Sequence, residues 1–339
     1  MLALRIRWSP VAREGAERFF SEACYLMELN HSGEGLVVRT PAKLNLFLDV
    51  GKLREDGFHP IDSIFQAVSL YDELEFIPIP GEGIELVEEG IAAGKKNIVY
   101  QAAEGLRREV GGAFPSGVRI TLRKSIPCGA GLGGGSSDAA ATLIGLRELF
   151  GLQLQVAPQR LLDLGAQLGS DVPFFFSGGT ARCRGRGEIV TPLDDVFEPA
   201  GTFHYVLVCP AIEVPTRDVY EAFDQSQSNK YMTLTTDAGV DSILRSSIVE
   251  ALANDELLFN RLETVACGLF AELAEVQGLL AAEGFRGFLM SGSGSTFFGL
   301  CDNADDAVSM RDSLKGAVPD GTRVLTAINV PNWSAILES

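Results

Sequence analysis

A chain of 339 residues, 46% hydrophobic and 22% charged, is long enough to bury a core without covalent staples, and two domains of ordinary size are expected. Its formal net charge of −17 excludes a generic nucleic-acid or anionic-membrane binder, which needs clustered Lys and Arg. A nucleotide ligand stays open, because backbone N–H groups and a single Lys can hold a phosphate cluster whatever the global charge.

The six cysteines, Cys24, Cys128, Cys183, Cys209, Cys267 and Cys301, are scattered, with no C-x-x-C and no Cys/His cluster. That spacing reads as reduced, mostly buried thiols in a cytoplasmic protein and speaks against structural zinc. Gly, Pro or charged residues interrupt every apolar run before it reaches membrane-spanning length.

Residues 1–35 differ from the rest. Arg5, Arg7, Arg13 and Arg18 are mixed with Glu14, Glu17 and Glu22, whereas a transit peptide is acid-poor and a secretory peptide has an unbroken apolar core. The segment reads as an N-terminal extension, with Met27 a candidate native start. From Thr40 to Val50 the pattern alternates. Ala42, Leu44, Leu46, Leu48 and Val50 face one way, and Lys43, Asn45, Phe47 and Asp49 the other, which predicts a strand with one buried face. Taken alone, Lys43 and Asn45 read as its wet face. A turn at Arg54-Glu55-Asp56-Gly57 leads through Phe58 and His59 into strand-like sequence to Ile77. His59 alone reads as an ordinary loop histidine.

Val118 to Arg123 is a second alternating strand. It runs through Ile126-Pro127 into Cys128-Gly129-Ala130-Gly131-Leu132-Gly133-Gly134-Gly135-Ser136-Ser137-Asp138. A helix is expected from Ala139 to Phe150, capped by Ser136, Ser137 and Asp138 and stopped by Gly151. Five glycines in seven residues cost backbone entropy, so they are expected to bring the main chain close to a ligand, with the helix N-terminus favouring phosphate oxygens. A Walker loop is excluded, since no Lys is present. Gly129, Gly131 and Gly134 satisfy G-x-G-x-x-G, but the acid expected about 20 residues later is missing, which leaves a dinucleotide dehydrogenase poorly supported.

An amphipathic helix is predicted over Pro158 to Leu168, then Gly169-Ser170-Asp171-Val172-Pro173 and the apolar Phe174 to Phe176. Asp171 sits where Pro173 ends helical structure and alone reads as a turn or cap residue. Arg182 to Arg186 is expected in a glycine-marked hairpin on a solvated edge. Composition shifts after Pro192, which places a domain boundary at 195/196. Beyond it come a strand (His204 to Cys209), a helix (Arg217 to Asp224), a Ser/Thr/Asn-rich loop over 225–240, and two or three helices between Ser247 and Glu283. A hairpin (Gly287 to Met290, Thr296 to Cys301), a helix (Ala304 to Lys315) and a strand (Arg323 to Val330) complete an α+β sandwich.

Five segments occur in order: Pro41-Ala42-Lys43-Leu44-Asn45-Leu46, Asp56-Gly57-Phe58-His59, the loop from Pro127 to Asp138, Gly169-Ser170-Asp171-Val172-Pro173-Phe174-Phe175, and Gly292-Ser293-Gly294-Ser295-Thr296. From about residue 36 to the C-terminus the chain resembles the GHMP kinase superfamily, in its branch acting on a cytidine-diphosphate-linked polyol of the non-mevalonate isoprenoid pathway. The resemblance implies a two-domain α+β fold. Residues 36–195 would be a ribosomal protein S5 domain 2-like, ATP-binding domain, and 196–339 a ferredoxin-like α/β sandwich.

It also implies roles in ATP-dependent phosphorylation of the polyol's 2-hydroxyl. Asp171 would be the general base, and Lys43 would orient the hydroxyl. Asn45 would hold the polyol, His59 would hydrogen-bond the cytosine edge, and Phe58, Thr216 and Tyr220 would complete the substrate pocket. Many relatives carry Tyr where this chain has Phe58, so aromatic contact survives and a phenol hydrogen bond does not. Pro127, Gly129, Ala130, Gly131, Leu132, Gly133, Gly134, Gly135, Ser136, Ser137 and Asp138 would hold ATP, with Ser137 on Mg2+ and Asn97 in the adenine pocket. Partners would be small molecules, with neither nucleic acid nor membrane, and the chain a monomer or weak homodimer. The alternatives are a GHMP kinase for homoserine or mevalonate and a non-catalytic nucleotide-binding protein.

Overall fold

The computed structural model describes residues 28–32, 35–88, 91–92, 94–193, 201–226 and 257–331. The extension before residue 28, the boundary at 195/196, most of the 225–240 loop and the helical sequence over 247–256 lie outside those residues.

The alternation read over 40–50 belongs to a longer strand, β2 (Gly35–Val50), which pairs antiparallel with β1 (Glu28–Ser32) and β3 (Ile61–Ile79). Residues 28–32, expected within the extension, therefore form an edge of the sheet. β3 is long enough to serve two neighbours. Its second half pairs with β6 (Gly117–Arg123), which lies parallel to β4 (Ile84–Glu88), itself paired with β5 (Ile91–Ala92). Its first half pairs with β7 (Thr180–Gly185), which forms a hairpin with β8 (Ile189–Pro192).

Helices α1 (Ile98–Val110), α2 (Gly134–Leu149) and α3 (Pro158–Leu168) join the core of this sheet. The pattern for α1 was present but unread. Val99, Ala102, Ala103 and Leu106 recur at helical spacing and are buried, and Asn97 caps the start by accepting from Val99 N.

The second sheet contains β9 (His204–Cys209), β11 (Gly287–Met290), β12 (Phe297–Cys301) and β13 (Arg323–Ile328). Its order is β11-β12-β9-β13 and every pairing is antiparallel. Helices α4 (Thr216–Gln225), α5 (Glu263–Leu269), α6 (Ala271–Glu283) and α7 (Ala304–Lys315) accompany it, giving the expected α+β architecture. A short strand of the second half, β10 (Phe259–Asn260), reaches across to pair with Phe47 and Leu48 of β2.

The wet face expected of β2 is not wet. Ala42, Leu44, Leu46 and Phe47 pack with Tyr205, Leu207, Phe298 and Leu300 of the second sheet, while Lys43 and Asn45 on the other side are buried as well. Register shifts between Pro41 and Ala42, and between Asn45 and Phe47, break the simple alternation, so Phe47 joins Leu46 in the same cluster. Arg182, assigned to a solvated edge, is buried too. Its guanidinium donates to both Asp62 carboxylate oxygens at 2.8 and 2.6 Å, the pairing that makes a buried charge tolerable.

Candidate active site

The glycine loop leaves β6 under tight control. The Asp72 carboxylate accepts from Ser125 N at 2.6 Å and Ile126 N at 2.8 Å, and the Lys124 ammonium joins Asp72 to Asp138. Gly129, Gly131 and Gly133 take φ of 64°, 76° and 69°, a region closed to most side chains. Space forbids a side chain as well. A Cβ at Gly131 would run into the Ser291 carbonyl oxygen, and one at Gly133 would lie 3.0 Å from both Lys43 Cγ and Phe175 Cζ.

Three loop carbonyls are taken from the protein side. Ala130 O accepts from Thr296 N, Gly131 O from the Ser291 hydroxyl and Leu132 O from Lys43 N. A planar trans peptide points its N–H opposite its C=O, so the amides of Gly131, Leu132 and Gly133 point away from those partners, and Gly131 and Gly133 line the cavity. Helix α2 begins at Gly134 rather than at Ala139, with Gly133 in the cap position. Its N-terminus thus lies within the loop itself, adding a positive dipole end to that row of donors.

Lys43 and Asp171, distant in sequence, meet beside this loop. Lys43 Nζ is 3.7 Å from Asp171 Oδ2, hydrogen-bonds Asn45 Oδ1 and sits 4.6 Å over the Phe65 ring. Burial pushes the Lys43 pKa down, and the Asp171 carboxylate pulls it back toward the charged form. Asp171 precedes a short 3-10 turn, Val172–Phe176, whose three phenylalanines are buried. Phe174 packs edge-on against Phe65 of β3 at 5.4 Å, which seats the turn beside the ring that carries the Lys43 ammonium. Asn45 is held by Ser63 and by the Ser291 hydroxyl, so its amide also fixes the Lys43 ammonium.

A cavity of about 920 Å³ runs from the glycine loop past Lys43, Asn45 and Asp171 to an aromatic corner formed by Phe58, His59 and Tyr220. His59 Nδ1 donates to the Gly51 carbonyl at 2.8 Å, and Nε2 lies 3.4 Å from Asp224 Oδ2. Nδ1 is thereby committed to the main chain, and the expected bond to a pyrimidine falls to Nε2, beside the Asp224 carboxylate. The His59 ring lies 5.0 Å from Tyr220, whose phenol pKa is raised by burial and further by Asp171. Thr216 reaches the rim, its hydroxyl 2.9 Å from that of Ser293.

Four expected ligand residues do not face this cavity. Ser137 turns its hydroxyl to the Pro41 carbonyl at 2.6 Å and to Thr40, because the early helix start rotates it onto β2. Asp138 turns its carboxylate to Lys124, and burial pushes its pKa up to about 8 against the pull of that ammonium, with Asp72 adding to the rise. Leu132 is core, and Asn97 is spent on capping α1 and on Glu88, leaving the neighbouring Ile98 to line the cavity. Ser137 as a metal ligand therefore does not fit. Among the described residues no group of three His, Cys, Asp or Glu side chains could hold a metal ion. Arg186, Asp224, Ser293 and the exposed Cys128 line the cavity without having been singled out.

Comparison with known proteins matches this geometry to a family. The GHMP kinases N terminal domain matches residues 97–179 and the GHMP kinases C terminal domain residues 246–320. The 4-diphosphocytidyl-2-C-methyl-D-erythritol kinase of Pelotomaculum thermopropionicum is 42% identical over 268 residues, which cover 78% of this chain and 89% of that protein. The chain belongs to the 4-diphosphocytidyl-2-C-methyl-D-erythritol kinase family of GHMP kinases. A crystal structure of a 4-(cytidine 5'-diphospho)-2C-methyl-D-erythritol kinase superposes with a TM-score of 0.69 at 38% identity, covering 87% of this chain and 99% of that one. Homoserine kinase from Cytophaga hutchinsonii, at 17% identity and a TM-score of 0.64, shares the fold. GHMP kinases use ATP, and no described helix is long and apolar enough to cross a membrane.

Proposed function

We propose that this chain transfers the γ-phosphoryl group of ATP to the 2-hydroxyl of 4-diphosphocytidyl-2-C-methyl-D-erythritol, with Asp171 as general base. The observation that carries it is the 3.7 Å approach of Lys43 and Asp171, between a phosphate-type glycine cradle and an aromatic corner in one cavity. A sugar-type hydroxyl is a weak nucleophile until its proton has an acceptor. Asp171 takes that proton as the oxygen attacks the γ-phosphorus and the bond to the bridging oxygen of ADP breaks. The buried Lys43 ammonium pairs with Asp171 and offsets charge on the transferring group, while the loop amides hold the remaining phosphate oxygens without reorganising. Mg2+ would be supplied with the triphosphate and would offset charge on its oxygens, and none of the described residues is assigned as its ligand. Tyr220 and Phe58 flank the pyrimidine.

A homoserine or mevalonate acceptor fits this cavity less well, because neither offers a ring for the corner at Phe58, His59 and Tyr220. A non-catalytic role leaves the pairing of a buried ammonium with the partly exposed Asp171 carboxylate without purpose. The test is a panel: Mg-ATP with the cytidylyl compound, homoserine or mevalonate, following ADP release. Release with the cytidylyl compound alone is expected; turnover of either other alcohol at a comparable rate would sink the acceptor assignment.

A further inference from the structure

The turn between β7 and β8, Gly185-Arg186-Gly187-Glu188, joins the two ends of the cavity. Gly187, at φ 128°, lies so close under the reacting carboxylate that a Cβ would come within 3.2 Å of Asp171 Oδ1. From that anchor the neighbouring Arg186 reaches the other way, and its guanidinium stands 4.8 Å over the Phe58 ring. One tight turn thus spans the distance between the alcohol-activating group and the aromatic corner.

Among the described residues, Lys43, Arg186 and Arg217 are the Lys and Arg side chains that line the cavity. Lys43 is committed to Asp171 and Asn45. Arg217 is 85% exposed and is held by Glu221 at 2.6 Å. Arg186 is partly buried, and its ion pair with Glu188, at 3.9 Å, is too long for a hydrogen bond. The rest of the charged wall, Asp171, Glu221 and Asp224, is acidic and would repel a polyanionic acceptor.

We propose that Arg186 is a specificity-determining residue that grips the diphosphate of the acceptor. This rests on reading the acceptor as a cytidine-diphosphate compound, whose diphosphate must lie between a pyrimidine at Phe58 and an alcohol at Asp171. A planar guanidinium can give two parallel N–H bonds to phosphoryl oxygens while its face stays on an aromatic ring. The same side chain therefore reads the phosphate and orders the ring that reads the base.

Calorimetric titration of the full chain with CDP and with cytidine separates those two actions. Wild-type protein should bind CDP more tightly than cytidine. Arg186→Gln should weaken CDP by about 10- to 100-fold, the range for a hydrogen bond to a charged group, and weaken cytidine by much less. Arg186→Lys should restore part of the difference, since it returns the charge without the fork. In turnover, Arg186→Gln should raise KM for the acceptor and leave KM for ATP alone. Equal weakening of CDP and cytidine overturns the proposal, because Arg186 would then only prop Phe58; no weakening of either overturns it too. Wild-type protein that binds neither compound yet phosphorylates another alcohol would overturn the acceptor reading itself, a result distinct from both.

Discussion

Asp171 carries a partly exposed carboxylate at the floor of the cavity, and its partner Lys43 is almost fully buried. That asymmetry suits the proposed chemistry, in which a base meets an incoming alcohol and a cation need only act at short range. Asp171→Asn should leave ATP binding intact and lower kcat by about 10²- to 10⁴-fold, the usual reach of a general base. Steady-state kinetics beside ATP titration checks this; near-normal turnover would remove Asp171 from the mechanism. Neither residue was legible alone, because a Lys on a strand and an Asp before a proline are commonplace. What made them legible was their place in an ordered series of segments. The buried Arg182 and the cavity-lining Arg186 had no such context, so chain position gave no hint of what each touches.

The strand-loop-helix unit from β6 to α2 has two kinds of glycine. Gly131→Ala combines a left-handed φ with a collision against the Ser291 carbonyl, and should cost about 2–4 kcal/mol in urea unfolding. Gly135→Ala lies within α2, with its nearest neighbour 3.8 Å away at Ile98, and should instead add about 0.5–1 kcal/mol. Equal effects of the two would mean that loop geometry does not require Gly131. Below the loop, Asp138 holds a proton up to about pH 8, whereas an ordinary Asp releases it near 3.8. Between those values the native state binds more protons than the unfolded chain, so this group's stabilisation is full at low pH and is lost as pH rises through about 8. Asp138→Asn, which mimics the neutral acid, should flatten that decline in melting temperature across the same window; an unchanged slope would contradict it. The unit itself was read from its sequence, but the helix start was misplaced. Ser and Asp are common caps, while here backbone contacts to Ser291, Thr296 and Lys43 set where helical geometry begins.

The site also depends on how the two halves of the molecule lock. β10 brings Asn260 against β2, where its amide donates to the Met290 and Gly292 carbonyls at 2.7 Å each and accepts from Leu262 N. That brace holds the turn whose Ser291 hydroxyl reaches both Asn45 and the glycine loop. Asn260→Ala strands the buried Met290 carbonyl and the part-buried Gly292 carbonyl and should cost about 1–3 kcal/mol, raising KM for ATP and acceptor together. Urea denaturation with paired kinetics checks it, and a normal urea midpoint would show the brace to be dispensable.

The chain alone determined the α+β class, the two long strands, helices α3 and α7, and the glycine cradle, because local periodicity and turn chemistry encode short-range geometry. It could not determine which polar face would be buried, or that Ser137, Asp138 and Asn97 would turn away from the cavity. Those outcomes arise from contacts between residues far apart in sequence. Burial and rotamer direction are properties of packing, and packing exists only once both sheets have closed on β2.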